Sequence, residues 1–197
     1  MVVGFEAYSR SKIEHQLDWQ KVYRWPFAFF ASVLVWNLIG AGLFGFFINP
    51  PLALYYMQGL NTTATHGHAA LFGVYGMLGL GLMLFCMRGL TDVTRWSERL
   101  LATSFWCLNI GLAMMVFLSL LPQGLYQAHA SFTYDYAYAR SAEVIHGPVM
   151  QALVWARVPG DLVFAVGVFA FAAFVARAFA ATRTARGATQ TPQRAPA

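Results

Sequence analysis

Four long stretches nearly free of charge divide this 197-residue chain, and they constrain its fold more than anything else in it. A hydrocarbon layer about 30 Å thick is crossed by ~20 apolar helical residues. Four segments reach that length: 27–48, 65–88, 100–121 and 160–181, the last clearest from Leu162 to Phe179. The first is expected to stop at Asn49-Pro50-Pro51 and the third at Pro122, because proline cannot continue a helix. Hydrophobic residues make up 58% of the chain and charged ones 11%, against roughly 25% charged in ordinary soluble domains. The 13 basic residues exceed the 8 acidic ones, but they gather between and beyond the apolar stretches. That is a membrane pattern and not a nucleic-acid footprint. Cys86 and Cys107 both lie in apolar stretches, which argues against a disulfide scaffold or thiolate metal site. The chain reads as an all-α integral membrane protein.

The basic residues suggest an orientation. Arg10, Lys12, Lys21 and Arg24 precede the first span, and Arg88, Arg95 and Arg99 separate the second from the third. Arg177, Arg183, Arg186 and Arg194 close or follow the fourth, leaving Arg140 and Arg157 on the other side. The positive-inside tendency then puts both termini in the cytoplasm, as an even number of spans also requires. The expected organisation is a cytoplasmic segment over 1–25, a four-helix transmembrane domain over 26–181 and a disordered cytoplasmic tail over 182–197. Tyr126, Phe132, Tyr134, Tyr136 and Tyr138 suit the outer membrane–water interface.

The chemically most distinctive feature is His66-Gly67-His68, where the second span begins. Imidazoles in a membrane are costly and usually functional or hydrogen-bonded within the bundle. Residues two apart on an α-helix are separated by about 200° around its axis. The two rings therefore point in nearly opposite directions and cannot share one ordinary metal ion. They can serve two separate centres on opposite flanks, and haem iron suits such a place because it accepts one axial histidine. Ala70, Gly73 and Met77 follow beneath His66, and Phe72, Tyr75 and Gly79 beneath His68. Small residues also serve helix packing, so spacing alone leaves two-centre ligation and hydrogen-bonded bundle histidines both open.

The stretch from His66 to Leu78 resembles the tenth transmembrane helix of nitric oxide reductase large subunits, in the haem–copper oxidase superfamily. The stretch from Trp36 to Phe46, with Asn49-Pro50-Pro51, resembles their ninth, and Met150 to Asp161 resembles the entry to their twelfth. The likeness runs from about Trp25 to Ala178 and looks nearest to the single-chain, quinol-dependent type. It implies that His66 is the proximal ligand of a high-spin haem b and His68 one axial ligand of a low-spin haem b. It also implies that the chain corresponds to the last four helices, the C-terminal third, of a twelve-helix subunit I-like bundle. The non-haem iron of the full-length enzyme would then be held by helices outside this chain, since His15, His129 and His146 match none of its ligands. The chain alone would be inactive and would need the remaining N-terminal helices as partner. Quinol or cytochrome c would be the electron donor, nitric oxide the substrate, and the bacterial inner membrane the location.

Arg157 and Asp161 stand four apart around Pro159-Gly160. Arg157 is either a partner for haem propionates or one half of a local ion pair. Asn37 is expected to face other helices and hydrogen-bond across an interface, and Thr62, Thr63 and Thr65 to cap the second span. Glu143 and His146 read as solvated loop residues, and Met83, Met87, Met114 and Met115 as packing. Competing readings are an oxygen-reducing relative, a small b-type membrane cytochrome for electron transfer, and a transport or scaffold subunit.

Overall fold

The computed structural model describes residues 17–189, and every regular element among them is helical. Four helices are long and apolar enough to cross a membrane: Tyr23–Ile48, Asn61–Met87, Glu98–Thr133 and Pro148–Thr184. These first to fourth spans make an all-α, multi-pass membrane architecture. Three of them contain a π-helical stretch, at Asn37–Phe44, His68–Gly76 and Met115–Leu120. His15 and residues 190–197, the end of the expected tail, lie outside the described residues.

The third span departs from expectation at Pro122, where the helix runs on as Leu121–Thr133. A proline inside a helix has no N–H to donate, and its ring crowds the carbonyl four residues back. Here the π-helical turn before it has already opened the backbone, with the Leu121 N–H bonded to the Val116 carbonyl five residues back. The proline enters a turn already wide enough for it. As a result Gln123, Gln127 and Ser131, expected in an outer connecting segment, lie on a helix and are buried.

Three other boundaries move, among them the start of the fourth span, which lies at Pro148 instead of 160. The second span begins at Asn61 instead of 65. The last helix, Val158–Thr189, passes the expected end at 181, so residues 182–189 of the expected tail are helical. The fourth span has a turn at Ala156 and Arg157, between the helix Pro148–Trp155 and the long helix that follows.

The first span packs on the second and the third on the fourth, and the third also meets the first. The shared core holds Phe29, Met77, Leu84, Leu101, Leu108 and Phe174. Two tryptophans stitch the first span to the third: Trp36 Nε1 donates to Asn109 Oδ1 at 2.9 Å, and Trp25 Nε1 to Glu98 Oε2 at 2.7 Å. At the Trp25 end Arg24 lies 3.8 Å from Glu98, and the Arg88 guanidinium sits 3.5 Å from the centroid of the Tyr23 ring. In the short connection there, Asp92 accepts from the Thr94 hydroxyl and backbone N–H. Those hydrogen bonds hold its carboxyl below the ordinary carboxylate range.

Without a hydrophobic drive between helices in lipid, close packing depends on small residues at the seam. Gly111 supplies one for the third and fourth spans, since a Cβ there would lie 2.6 Å from the Phe164 backbone nitrogen. Gly111→Leu is expected to pry these spans apart and lower stability by about 1–3 kcal/mol or more. Thermal unfolding in detergent measures this, and an unchanged midpoint would contradict the packing described.

Candidate functional site

The second span carries both histidines near its first turns, and the structure turns their rings toward different neighbours. His66 Nδ1 lies 2.8 Å from the Gly40 carbonyl of the first span. A carbonyl can only accept, so Nδ1 carries the proton and Nε2 keeps its lone pair. The approach is possible because Gly40 lacks a side chain: a Cβ there would sit 2.6 Å from the Ala69 carbonyl carbon. The π-helical stretches of the two spans lie against each other at this point.

His66 lines a cavity of about 320 Å³ between the first and second spans, together with Asn37, Ala41, Ala70, Leu71 and Tyr75. Asn37, Leu71 and Tyr75 are exposed at its edge. Asn37 lines the seam between the first and second spans and lies exposed there. One expectation is corrected here: Tyr75, expected on the His68 flank, lines the His66 cavity instead. The π-helical backbone from His68 to Gly76 advances less per residue around the axis than an α-helix does. Seven residues of accumulated lag from His68 carry Tyr75 around to the other flank. Gly73 is likewise not free space beneath His66 but lies under the Trp36 ring.

His68 looks toward the fourth span. Its Nδ1 lies 2.9 Å from the Ala64 carbonyl one turn earlier, so this ring too is protonated at Nδ1. Its Nε2 lies 3.3 Å from Nη2 of Arg157. Arg157 Nε in turn donates to both oxygens of Asp161, at 3.0 and 3.2 Å. Arg157 is thus one half of a local ion pair and also a direct neighbour of His68. Phe72, on the same flank, packs on Phe164 with ring centroids 4.7 Å apart.

The start of the histidine-bearing helix is not capped by threonine. Its N-cap position is Leu60, with no side-chain cap. Thr62 and Thr65 hydroxyls donate to the carbonyls of Met57 and Asn61, and Thr63 accepts from the Gly59 N–H at 3.3 Å. The Asn61 N–H is taken up by Gln127 Oε1 of the third span at 2.9 Å, and Asn61 Nδ2 donates to Gln123 Oε1 at 3.0 Å. The sequence alone did not bring these glutamines forward. A signal was present, since Ser119, Gln123, Gln127 and Ser131 stand four apart, but the expected helix end at Pro122 hid it.

The other candidates stay apart from the histidine pair. His129 is exposed and lines an apolar cavity with Phe47, Leu125 and Phe132. His146 is exposed, and Glu143 accepts from the Tyr138 hydroxyl at 3.1 Å. Among the described residues no group of three His, Cys, Asp or Glu side chains is placed to hold a metal ion.

Comparison with known proteins bears on the whole arrangement. Residues 14–163 match the family described as Cytochrome C and Quinol oxidase polypeptide I. A nitric oxide reductase subunit of Stutzerimonas stutzeri is 33% identical over 86 residues, covering 41% of this chain. The match spans 18% of that relative's length.

The Gly40 contact yields a test that needs no cofactor. Gly40→Ala is expected to force the first and second spans apart and loosen the His66 hydrogen bond. Stability should fall by about 1–3 kcal/mol. Modification of His66 by a histidine-directed reagent, followed by mass spectrometry, should accelerate, whereas wild-type behaviour in both would refute the contact.

Proposed function

This chain belongs to the Cytochrome C and Quinol oxidase polypeptide I family, and on that premise we propose that it is the haem-ligating C-terminal part of a respiratory nitric oxide reductase. The overall reaction of such an enzyme combines two nitric oxide molecules, two electrons and two protons into nitrous oxide and water. In this reading His66 ligates a high-spin haem b and His68 a low-spin haem b. The remaining helices of the enzyme supply the non-haem iron, quinol or cytochrome c delivers electrons, and the bacterial inner membrane is the location.

The observation that carries the proposal is the divergence of the two rings, each with its proton held at Nδ1 by a backbone carbonyl. Ligating histidines characteristically donate their other ring N–H to such a group, which fixes tautomer and orientation. His66 fits a haem directly, since its Nε2 lone pair is unclaimed among the described residues and it lines a cavity edged by Ala41, Gly67 and Ala70. His68 fits once Arg157 gives way, because a metal there takes the lone pair that Arg157 holds. The released guanidinium stays paired with Asp161 and has donors left for an anionic group such as a haem propionate.

When bound, the haems supply electron relay and a redox-active iron for the substrate. The chain's own contribution is positional. One helix fixes the separation of the two imidazoles, and the backbone carbonyls fix their orientation. The match to the Stutzerimonas stutzeri nitric oxide reductase favours nitric oxide as substrate. The family's description also covers oxidases, and an oxygen-reducing enzyme is the second reading.

In membranes carrying the intact enzyme, His66→Ala should abolish the high-spin haem signal and His68→Ala the low-spin one. Either substitution should reduce nitric oxide consumption to background. Retention of both haems in the double variant would overturn the ligand assignment, and oxygen uptake without nitric oxide turnover would favour the oxidase reading.

A further inference from the structure

The contact between His68 and Arg157 joins segments of the second and fourth spans, and neither segment is anchored by its own capping side chain. The helix Asn61–Gly67 starts at Leu60 without a side-chain cap, and the helix Pro148–Trp155 starts at Gly147 without one. Both are instead held from the third span.

Gln123 is buried there, 5% exposed, and its amide works in two directions. Its Oε1 accepts from Asn61 Nδ2 at 3.0 Å. Its Nε2 donates to Ser119 Oγ at 2.8 Å, and the Ser119 hydroxyl passes on to the Leu153 carbonyl at 2.8 Å. Nε2 also lies 3.4 Å from that same carbonyl. The donor and acceptor roles agree all along this chain: Gln123 Nε2 donates, and the Ser119 hydroxyl accepts with its oxygen while donating its proton onward. Among the described residues, Gln123 is the one side chain hydrogen-bonded to both segments.

The backbones are pressed together at the same place. A Cβ on Gly124 would meet the Thr62 nitrogen at 2.5 Å, so the third span lies directly on the start of the histidine-bearing helix. Asn61 precedes His68 by two helical turns, and Leu153 precedes Arg157 by one. Both arms are short and hydrogen-bonded, so a shift at Gln123 reaches the gap between the imidazole and the guanidinium.

The geometry points to Gln123 as a positioning residue that sets Arg157 against His68, with Ser119 as its relay. As positioning of a haem ligand the role rests on the reading above, but the contact it controls exists without haem. Packing alone does not account for this arrangement. Ser131, also buried on the same stripe, donates to the Tyr56 carbonyl at 2.8 Å, outside both segments.

The test uses the full chain in lipid nanodiscs, free of haem, with 15N-labelled histidine. The ring-nitrogen resonances of His68 report whether Nε2 accepts a hydrogen bond. Arg157→Gln defines the shift expected when the guanidinium is lost. Gln123→Met, close in shape but unable to hydrogen-bond, and Ser119→Ala should each move the Nε2 resonance toward that value. Ser131→Ala should leave it at the wild-type position while lowering thermal stability.

Wild-type His68 resonances in Gln123→Met and Ser119→Ala, beside a shifted Arg157→Gln, would overturn the positioning role. An equal shift in Ser131→Ala would also overturn it, since any loosening of the bundle would then suffice. If Gln123→Met fails to fold, Ser119→Ala alone decides. Haem uptake is measured separately. It is read in the intact enzyme, where unaltered haem signals in His66→Ala and His68→Ala, beside the expected shifts in this chain, refute the ligand assignment and leave the Gln123 clamp standing.

Discussion

Inside an apolar layer a backbone N–H or carbonyl without a partner costs several kcal/mol, and the way this bundle meets that demand shapes the rest of it. Regular helix pairs its groups internally. Departures from regularity and helix starts leave groups over, and here neighbouring side chains take them up. His66 takes the Gly40 carbonyl, Gln127 the Asn61 N–H, Ser119 the Leu153 carbonyl and Ser131 the Tyr56 carbonyl. Apolar side chains cannot choose one register over another on their own, because lipid tails are as apolar as leucine. The cross-span hydrogen bonds supply the choice.

The same requirement gives the histidine pair its character. Each ring has its proton fixed at Nδ1, one by a carbonyl of the first span and one by a carbonyl of its own helix. The outward nitrogens differ in company: that of His66 belongs to a cavity edge, and that of His68 faces a guanidinium. Two chemically identical side chains two residues apart thus sit in unlike electrostatic surroundings.

Much of this was legible in the residues. The four apolar stretches could only be spans, because their length matches a bilayer and their charge is nearly nil. The divergence of His66 and His68 followed from helical rotation over two residues, a distance too short for the later π-helical turn to matter. Over the seven residues from His68 it did matter, and Tyr75 ended on the opposite flank from the one an α-helix would give it. Pro122 misled for a related reason: proline ends an ordinary helix, but a wide turn just before it removes the clash. Behind that proline stood Gln123 and Gln127, whose four-residue spacing with Ser119 and Ser131 reads as a buried polar stripe only once the helix is known to continue. Asn37, a polar amide in an apolar stretch, lies exposed at the mouth of the His66 cavity.

The order of residues alone determined how many helices cross, roughly where they lie, and that the two imidazoles part company, since each depends on neighbours within a turn or two. The tertiary structure decided what each imidazole meets and what holds its helix in phase. Gly40 lies 26 residues from His66, Gln127 lies 66 from Asn61, and Arg157 lies 89 from His68. No local rule reaches across such distances. They close only when the spans pack, and they close where a glycine or a wide turn lets one backbone come near enough for another's polar group to be paired.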